Sequence, residues 1–224
     1  MGKNEVAVSL LDLERENAIS KFYNLETAKV DYFHIDVMDG IFVPNNTEER
    51  MYEFSTTLAN ITTIKQDIHL MVKDVKKYVD LYSSFGRNRI AFHVEALDNN
   101  HDAIMDMINY IKDTGNQVGL ALSPDTPIES LRPYLPYIHS IVVMTVIPGK
   151  GGQSIIEAAV DKIPQIKKIV DEMGNDIDIE VDGGVKLTNC ERLRSLGANI
   201  LISGSAIIKS DDMNEAVKVL RCTE

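Results

Sequence analysis

His34 and Asp36 stand two residues apart in Phe33-His34-Ile35-Asp36-Val37-Met38-Asp39-Gly40, with Phe33, Ile35 and Val37 at the alternate positions. A period of two is the pattern of a strand, so the imidazole and the carboxylate share one face and the apolar side chains take the other. The same placement recurs downstream. Asp67-Ile68-His69-Leu70-Met71 puts His69 at the tip of a third strand, and Glu180-Val181-Asp182-Gly183-Gly184 puts Asp182 at the tip of a seventh. Brought to one rim, His34, Asp36, His69 and Asp182 are a donor set for a divalent cation such as Zn²⁺ or Fe²⁺. Asp36 and Asp182 could also exchange protons with a substrate held against that ion. The competing reading is structural, a buried histidine hydrogen-bonded to a buried aspartate for register. His93 also ends a strand, before Val94-Glu95, and is ambiguous between supporting a ligand and packing the interior; His101 and His139 read as incidental.

Three later segments have the composition of an anion cradle. Met144-Thr145-Val146-Ile147-Pro148-Gly149-Lys150-Gly151-Gly152-Gln153 carries Gly149, Gly151 and Gly152, whose backbone N–H groups could approach a phosphate. Gly183-Gly184 follows Asp182, and Gly204-Ser205-Ala206 could open a short helix with free N–H groups. Lys150 could add a point charge, or simply keep an exposed loop soluble. Met38, Met71 and Met144 each lie at or just past a strand end, where thioethers would form an apolar floor or merely fill the interior.

The elements that must position these groups are legible as eight strand-like runs: 5–10, 32–37, 66–70, 89–93, 117–121, 140–144, 177–181 and 199–203. Between them, Val75/Tyr78/Val79/Tyr82, Ile104/Met107/Ile108/Ile111, Ile166/Ile169/Val170/Met173 and Met213/Ala216/Val217/Leu220 follow helical i, i+3, i+4, i+7 spacing. Eight alternating units predict one α/β domain over residues 1–224, a (β/α)8 TIM barrel, whose sites gather where strands end. An open doubly wound sheet is disfavoured, because Val8-Ser9-Leu10-Leu11-Asp12 stands where a dinucleotide-binding glycine motif would follow the first strand.

Composition narrows the partners. The chain has 224 residues and a formal charge of −11, which argues against a nucleic-acid surface. Cys190 and Cys222 have no CxxC spacing, so neither a disulfide framework nor a thiolate metal site is indicated. No apolar run approaches a membrane span and no signal sequence is evident, so a soluble, cytoplasmic protein is expected.

Taken in order, Ser9, the His34–Gly40 run with Phe42-Val43-Pro44-Asn45, Asp67–Val72, Phe92-His93-Val94-Glu95, Val143–Val146 with Pro148-Gly149 and Gly151-Gly152-Gln153, Glu180–Gly184 and Gly204-Ser205 resemble the ribulose-phosphate 3-epimerases nearly end to end. The resemblance implies one divalent ion, commonly zinc or ferrous iron, with manganese or cobalt also compatible, on His34, Asp36, His69 and Asp182. It implies Asp36 and Asp182 as the acid/base pair that inverts C3 of a ketopentose phosphate through a 2,3-enediolate. Ser9, His69 and the glycine loops would contact the phosphorylated ketose, over a floor of Met38, Met71 and Met144. A homo-oligomer without membrane or nucleic-acid partners is expected. Lys150 stands where an aromatic residue is usual, Ser123-Pro124-Asp125-Thr126 replaces Asn-Pro-Gly-Thr, Ile41 replaces a frequent histidine, and Asn46–Arg50 is unusually polar. These departures border the sugar and phosphate and keep alternatives open: 3-epimerisation of a ketohexose phosphate such as D-allulose 6-phosphate, a decarboxylase or aldolase on the same barrel, or a sugar-phosphate-binding regulator.

Overall fold

The computed structural model describes residues 4–174 and 176–222. Eight parallel strands close on themselves: β1 (Glu5–Ser9), β2 (Tyr32–Met38), β3 (Lys65–Met71), β4 (Arg89–His93), β5 (Gln117–Leu122), β6 (Ser140–Met144), β7 (Asp178–Asp182) and β8 (Ile200–Ser203). Each pairs with the next, and β8 returns to β1 through pairs such as Ala7 with Ile202. The strands are the runs expected from alternation, with bounds moved by at most two residues.

Alternation on each strand divides the chain between two compartments. Outward residues such as Phe33, Ile35, Ile68, Leu70, Phe92, Leu120 and Val143 are buried beneath the surrounding helices. Inward residues fill the barrel, where Ala7, Ala91, Ala121, Val142, Ile200 and Ile202 pack together. Small side chains belong there: a β-carbon on Gly119 would stand 2.8 Å from that of Ala91.

The helical stripes mostly land as spaced. Val75, Tyr78, Val79 and Tyr82 are all buried on the helix Val75–Tyr82, as are Ile104, Ile108 and Ile111 on the helix His101–Asp113. Asp74 and Asn100 cap these two helices by accepting from the N–H groups of Lys77 and Ala103. Met173, expected on a buried stripe, is instead exposed, because its helix ends there at Gly174 in the left-handed conformation. After β5 the crossover is a 3-10 segment, Ile128–Tyr137, since Pro133 and Pro136 lack the N–H groups an α-helix needs. Among the described residues no helix is long and apolar enough to cross a membrane.

The lower half of the barrel is closed by charge. Arg89 is buried with one guanidinium nitrogen 3.0 Å from Glu180 Oε1 and another 2.6 Å from Asp178 Oδ2. Burial and the neighbouring Asp67 push the Glu180 carboxyl up to about 8. Glu180 therefore carries a proton near neutrality. Arg89→Met would leave buried acids without their countercharge and should cost about 3–5 kcal/mol in urea unfolding. The pH dependence has a definite sign. From 4.5, where an ordinary carboxyl ionises, to about 8, where Glu180 does, the folded state holds the extra proton. Stability from this group is thus full below the window and declines as pH rises through it. Glu180→Gln should flatten that decline, read from urea midpoints at both ends of the window.

Candidate active site

The C-terminal rim is assembled from the strand ends by short polar ties. The Thr47 hydroxyl donates to the Asp36 carbonyl at 2.6 Å and accepts from Met38 N–H at 2.9 Å, fixing the exit of β2. Asp39 accepts from the N–H groups of Ile41 and Phe42 through one oxygen and from Lys73 N–H through the other, joining the loops after β2 and β3. The Asn45 amide donates to the Gly149 carbonyl at 2.6 Å, which links the loop after β2 to the glycine loop after β6. That glycine loop is closed on itself by the Gln153 amide, which donates to the carbonyls of Ile147 and Lys150.

Four inward side chains meet at the mouth. Taking one donor atom each, His34, Asp36, His69 and Asp182 lie within 4.8 Å of one another. His34 Nε2 is 3.3 Å from Asp36 Oδ1 and 3.8 Å from Asp182 Oδ2. His69 Nδ1 is 3.6 Å from the former oxygen and 3.4 Å from the latter. A tetrahedron built on bonds of roughly 2.0–2.2 Å has edges of about 3.3–3.6 Å, so these donors are spaced to surround one cation. His34 Nε2 and His69 Nδ1 are both buried without a hydrogen-bond partner. Leaving such a nitrogen unpaired costs about 1–3 kcal/mol, a penalty a bound cation removes. The residues therefore fit a divalent ion.

The electrostatics favour positive charge at the same point. Burial alone would hold the His34 imidazole low, but the Asp36 and Asp67 carboxylates raise it well above its usual value. Burial likewise opposes a proton on His69, and Asp182 and Asp36 outweigh it. Burial would raise Asp36, yet the two imidazoles hold it below the carboxylate range. Two of the four donors are oriented from behind. Asp67 Oδ2 stands 2.6 Å from His34 Nδ1, and the Ser9 hydroxyl donates to Asp36 Oδ2 at 2.7 Å.

Above the four donors opens a cavity of about 170 Å³. It is lined by Ser9, Asp36, Asp182 and the three methionines, Met38, Met71 and Met144. The remaining wall brings together Gly149, Gly151, Gly152, Gly183, Gly184, Gly204 and Ser205, with Lys150 at its edge. Ser205 opens a short helix, Ser205–Ile208, as its sequence suggested. Gly183 and Gly184 have φ of 107° and 67°, and a β-carbon on Gly184 would come within 2.9 Å of the Ile155 nitrogen, so this turn requires glycine. His69 does not line the cavity; it lies fully buried and presents Nδ1 to Asp36 and Asp182. Neither His101 nor His139 lines the cavity: His101 lies against Tyr134 and His139 against the backbone of Val118.

Several contributors escape a reading of strand tips alone. Asp67 lies one inward position below His69, and that shared parity was the available signal. Asp12 and Lys186 also line the cavity from loops, where no periodicity marks them.

Residues 5–208 match the model of the ribulose-phosphate 3-epimerase family. The chain is 35% identical to the ribulose-phosphate 3-epimerase of Synechocystis sp., over 99% of this chain and 95% of that one. It is 37% identical to the protein of the same name from Serratia marcescens, over 95% and 99% respectively. Among solved structures, 3-hexulose-6-phosphate synthase from Salmonella typhimurium superposes with a TM-score of 0.72 at 14% identity, covering 97% of this chain and 96% of that one. KGPDC from Streptococcus mutans gives 0.71 at 14%, covering 98% and 96%. At such identity these two speak for the barrel alone. With residues 5–208 matched and these two relatives aligned over nearly their whole length, the chain belongs to the ribulose-phosphate 3-epimerase family.

Proposed function

We propose that this chain is a metal-dependent epimerase that interconverts D-ribulose 5-phosphate and D-xylulose 5-phosphate by inverting C3. The observation that carries the reading is the meeting of two carboxylates, Asp36 and Asp182, with two unpartnered imidazole nitrogens beneath a glycine-walled cavity. Family membership supports a phosphorylated pentose as substrate.

The chemistry divides among the side chains. Inversion needs a proton removed from one face of C3 and returned to the other, so two carriers are required. Asp36 and Asp182 project from β2 and β7, which stand on either side of the β8–β1 pair, and both line the cavity. Each directs one oxygen, Asp36 Oδ1 and Asp182 Oδ2, at the donor cluster, and the second oxygen of each is left for proton transfer. Ser9 holds Asp36 Oδ2 by hydrogen bond, so its hydroxyl follows that oxygen and can also meet the substrate. A proton beside a ketone is weakly acidic, and the negative charge that grows on oxygen must be stabilised. A divalent ion held by His34, Asp36, His69 and Asp182, zinc or ferrous iron by donor type, supplies that stabilisation when bound. Met38, Met71 and Met144 keep the floor apolar, which strengthens charge interactions above it. Glycine N–H groups after β6, β7 and β8 receive the phosphate and set the distance from it to C3.

Asp182→Asn should lower kcat for D-ribulose 5-phosphate by about 10²–10⁴-fold or more, with unfolding midpoint retained. Solvent deuterium should enter C3 during turnover by the native enzyme, as proton return from a solvent-exchanging carboxyl requires. Near-normal turnover in the variant, or turnover without exchange, would remove the two-carboxylate mechanism. Ten-fold or greater preference for a ketohexose phosphate would move the substrate assignment. Dialysis against a strong chelator should abolish turnover, and one equivalent of Zn²⁺ or Fe²⁺ should restore it; full activity after chelation, with metal absent by atomic emission, contradicts metal dependence.

A further inference from the structure

The chemistry above makes no use of His93 or Glu95, although His93 is fully buried against a proposed ligand. Resting on the reading of His69 as that ligand, we propose that His93 and Glu95 are positioning residues that select the tautomer of His69, so that its Nδ1 lone pair faces the cation.

The argument is one of donors and acceptors. His69 Nε2 and His93 Nε2 are 2.9 Å apart, so one nitrogen carries a hydrogen and the other does not. If His93 Nε2 carried it, a neutral His93 would present a bare Nδ1 to Glu95 Oε2, 3.3 Å away, and two lone pairs would face each other. His69 would then bear its hydrogen on Nδ1, aimed at Asp36 and Asp182, where no cation could bind to it. The opposite arrangement satisfies every group. His93 Nδ1–H donates to the Glu95 carboxylate, His93 Nε2 accepts from His69 Nε2–H, and His69 Nδ1 is left bare. The Ser123 hydroxyl, also 3.3 Å from His93 Nδ1, can donate or accept and favours neither arrangement.

The carboxylate that decides this is itself fixed. Glu95 Oε1 accepts from Ser123 N–H at 3.1 Å and from the Thr126 hydroxyl. Burial opposes ionisation of Glu95, but the hydrogen bonds from His93 and Thr126 outweigh it and hold the carboxyl at about 2. Lys162 pins the loop after β5 by donating to the carbonyls of Ser123 at 3.2 Å, Thr126 at 2.7 Å and Pro124. The second imidazole ligand has no such relay, since His34 Nδ1 meets Asp67 directly. His69 is thereby linked to a carboxylate through a second imidazole, and the loop after β5, where this chain departs from its family's usual residues, takes part in holding the metal site.

The test uses the full chain loaded with one equivalent of Zn²⁺. Long-range ¹H–¹⁵N correlation spectra of ¹⁵N-histidine-labelled protein report which nitrogen bears hydrogen. We expect His93 protonated at Nδ1 and His69 at Nε2; protonation of His93 at Nε2 overturns the proposal without recourse to any variant. Zn²⁺ affinity by competition with a chromophoric chelator should fall roughly 10–100-fold in Glu95→Gln and less in Thr126→Val. An unchanged affinity in a folded Glu95→Gln protein, whatever its melting temperature, makes the contact merely structural and sinks the relay alone. Failure of the native chain to bind Zn²⁺ or Fe²⁺ one-to-one removes the metal-site reading, and the relay with it.

Discussion

Only one face of each strand looks toward the axis of a closed barrel, and every donor at the mouth of this protein is drawn from that face. His34 and Asp36 on β2, His69 on β3, His93 on β4 and Asp182 on β7 all have the inward parity, while their sequence neighbours Ile35, Leu70, Phe92 and Val181 anchor the helices outside. The same parity, continued downward, brings Asp67, Arg89 and Glu180 beneath them. A one-residue slip in any of these strands would send charge into the helix layer and hydrocarbon to the axis. Register is thus the condition on which both stability and chemistry depend.

The interior is a stack of proton-linked charges. Arg89 faces Glu180 and Asp178, Asp67 helps to keep the Glu180 carboxyl protonated, and Asp67 orients His34 at the top of the stack. On the other side His69 rests on His93 and Glu95. Each carboxylate is placed where its charge has a use, and the one without a full partner, Glu180, stays protonated. The proposed phosphate subsite is compatible with a chain of net charge −11, because the groups assigned to receive the anion are backbone N–H dipoles of the glycines that line the cavity, which add no charge.

Much of the architecture was legible because it rests on local periodicity. Alternation located eight strands, and three of the four helical stripes bury the residues expected of them or leave one at the margin. Met173 failed because i, i+7 spacing says nothing about where a helix stops, which Gly174 decides. Prolines 133 and 136 were visible, yet their replacement of an α-helix by 3-10 turns is a matter of lost donors and not of hydrophobic pattern. At the site, His34, Asp36, His69 and Asp182 could be named because unusual residues at strand tips are conspicuous. Asp67 and Glu95 were not, since their importance lies in contacts made across strands, between residues far apart in sequence. The ambiguity of His93 is of the same kind: its role depends on a nitrogen-to-nitrogen distance that no spacing encodes.

Closure of β8 onto β1 has a temporal corollary. The two imidazoles arrive early during synthesis, on the second and third strands, but Asp182 belongs to the seventh, and β1 has no partner on its far side until Ile200–Ser203 emerge. A nascent polypeptide on the ribosome therefore exposes an incomplete ligand set and an open sheet edge for most of its elongation. Completion of the donor set proposed to hold a metal and loss of that aggregation-prone edge must both await the last quarter of translation.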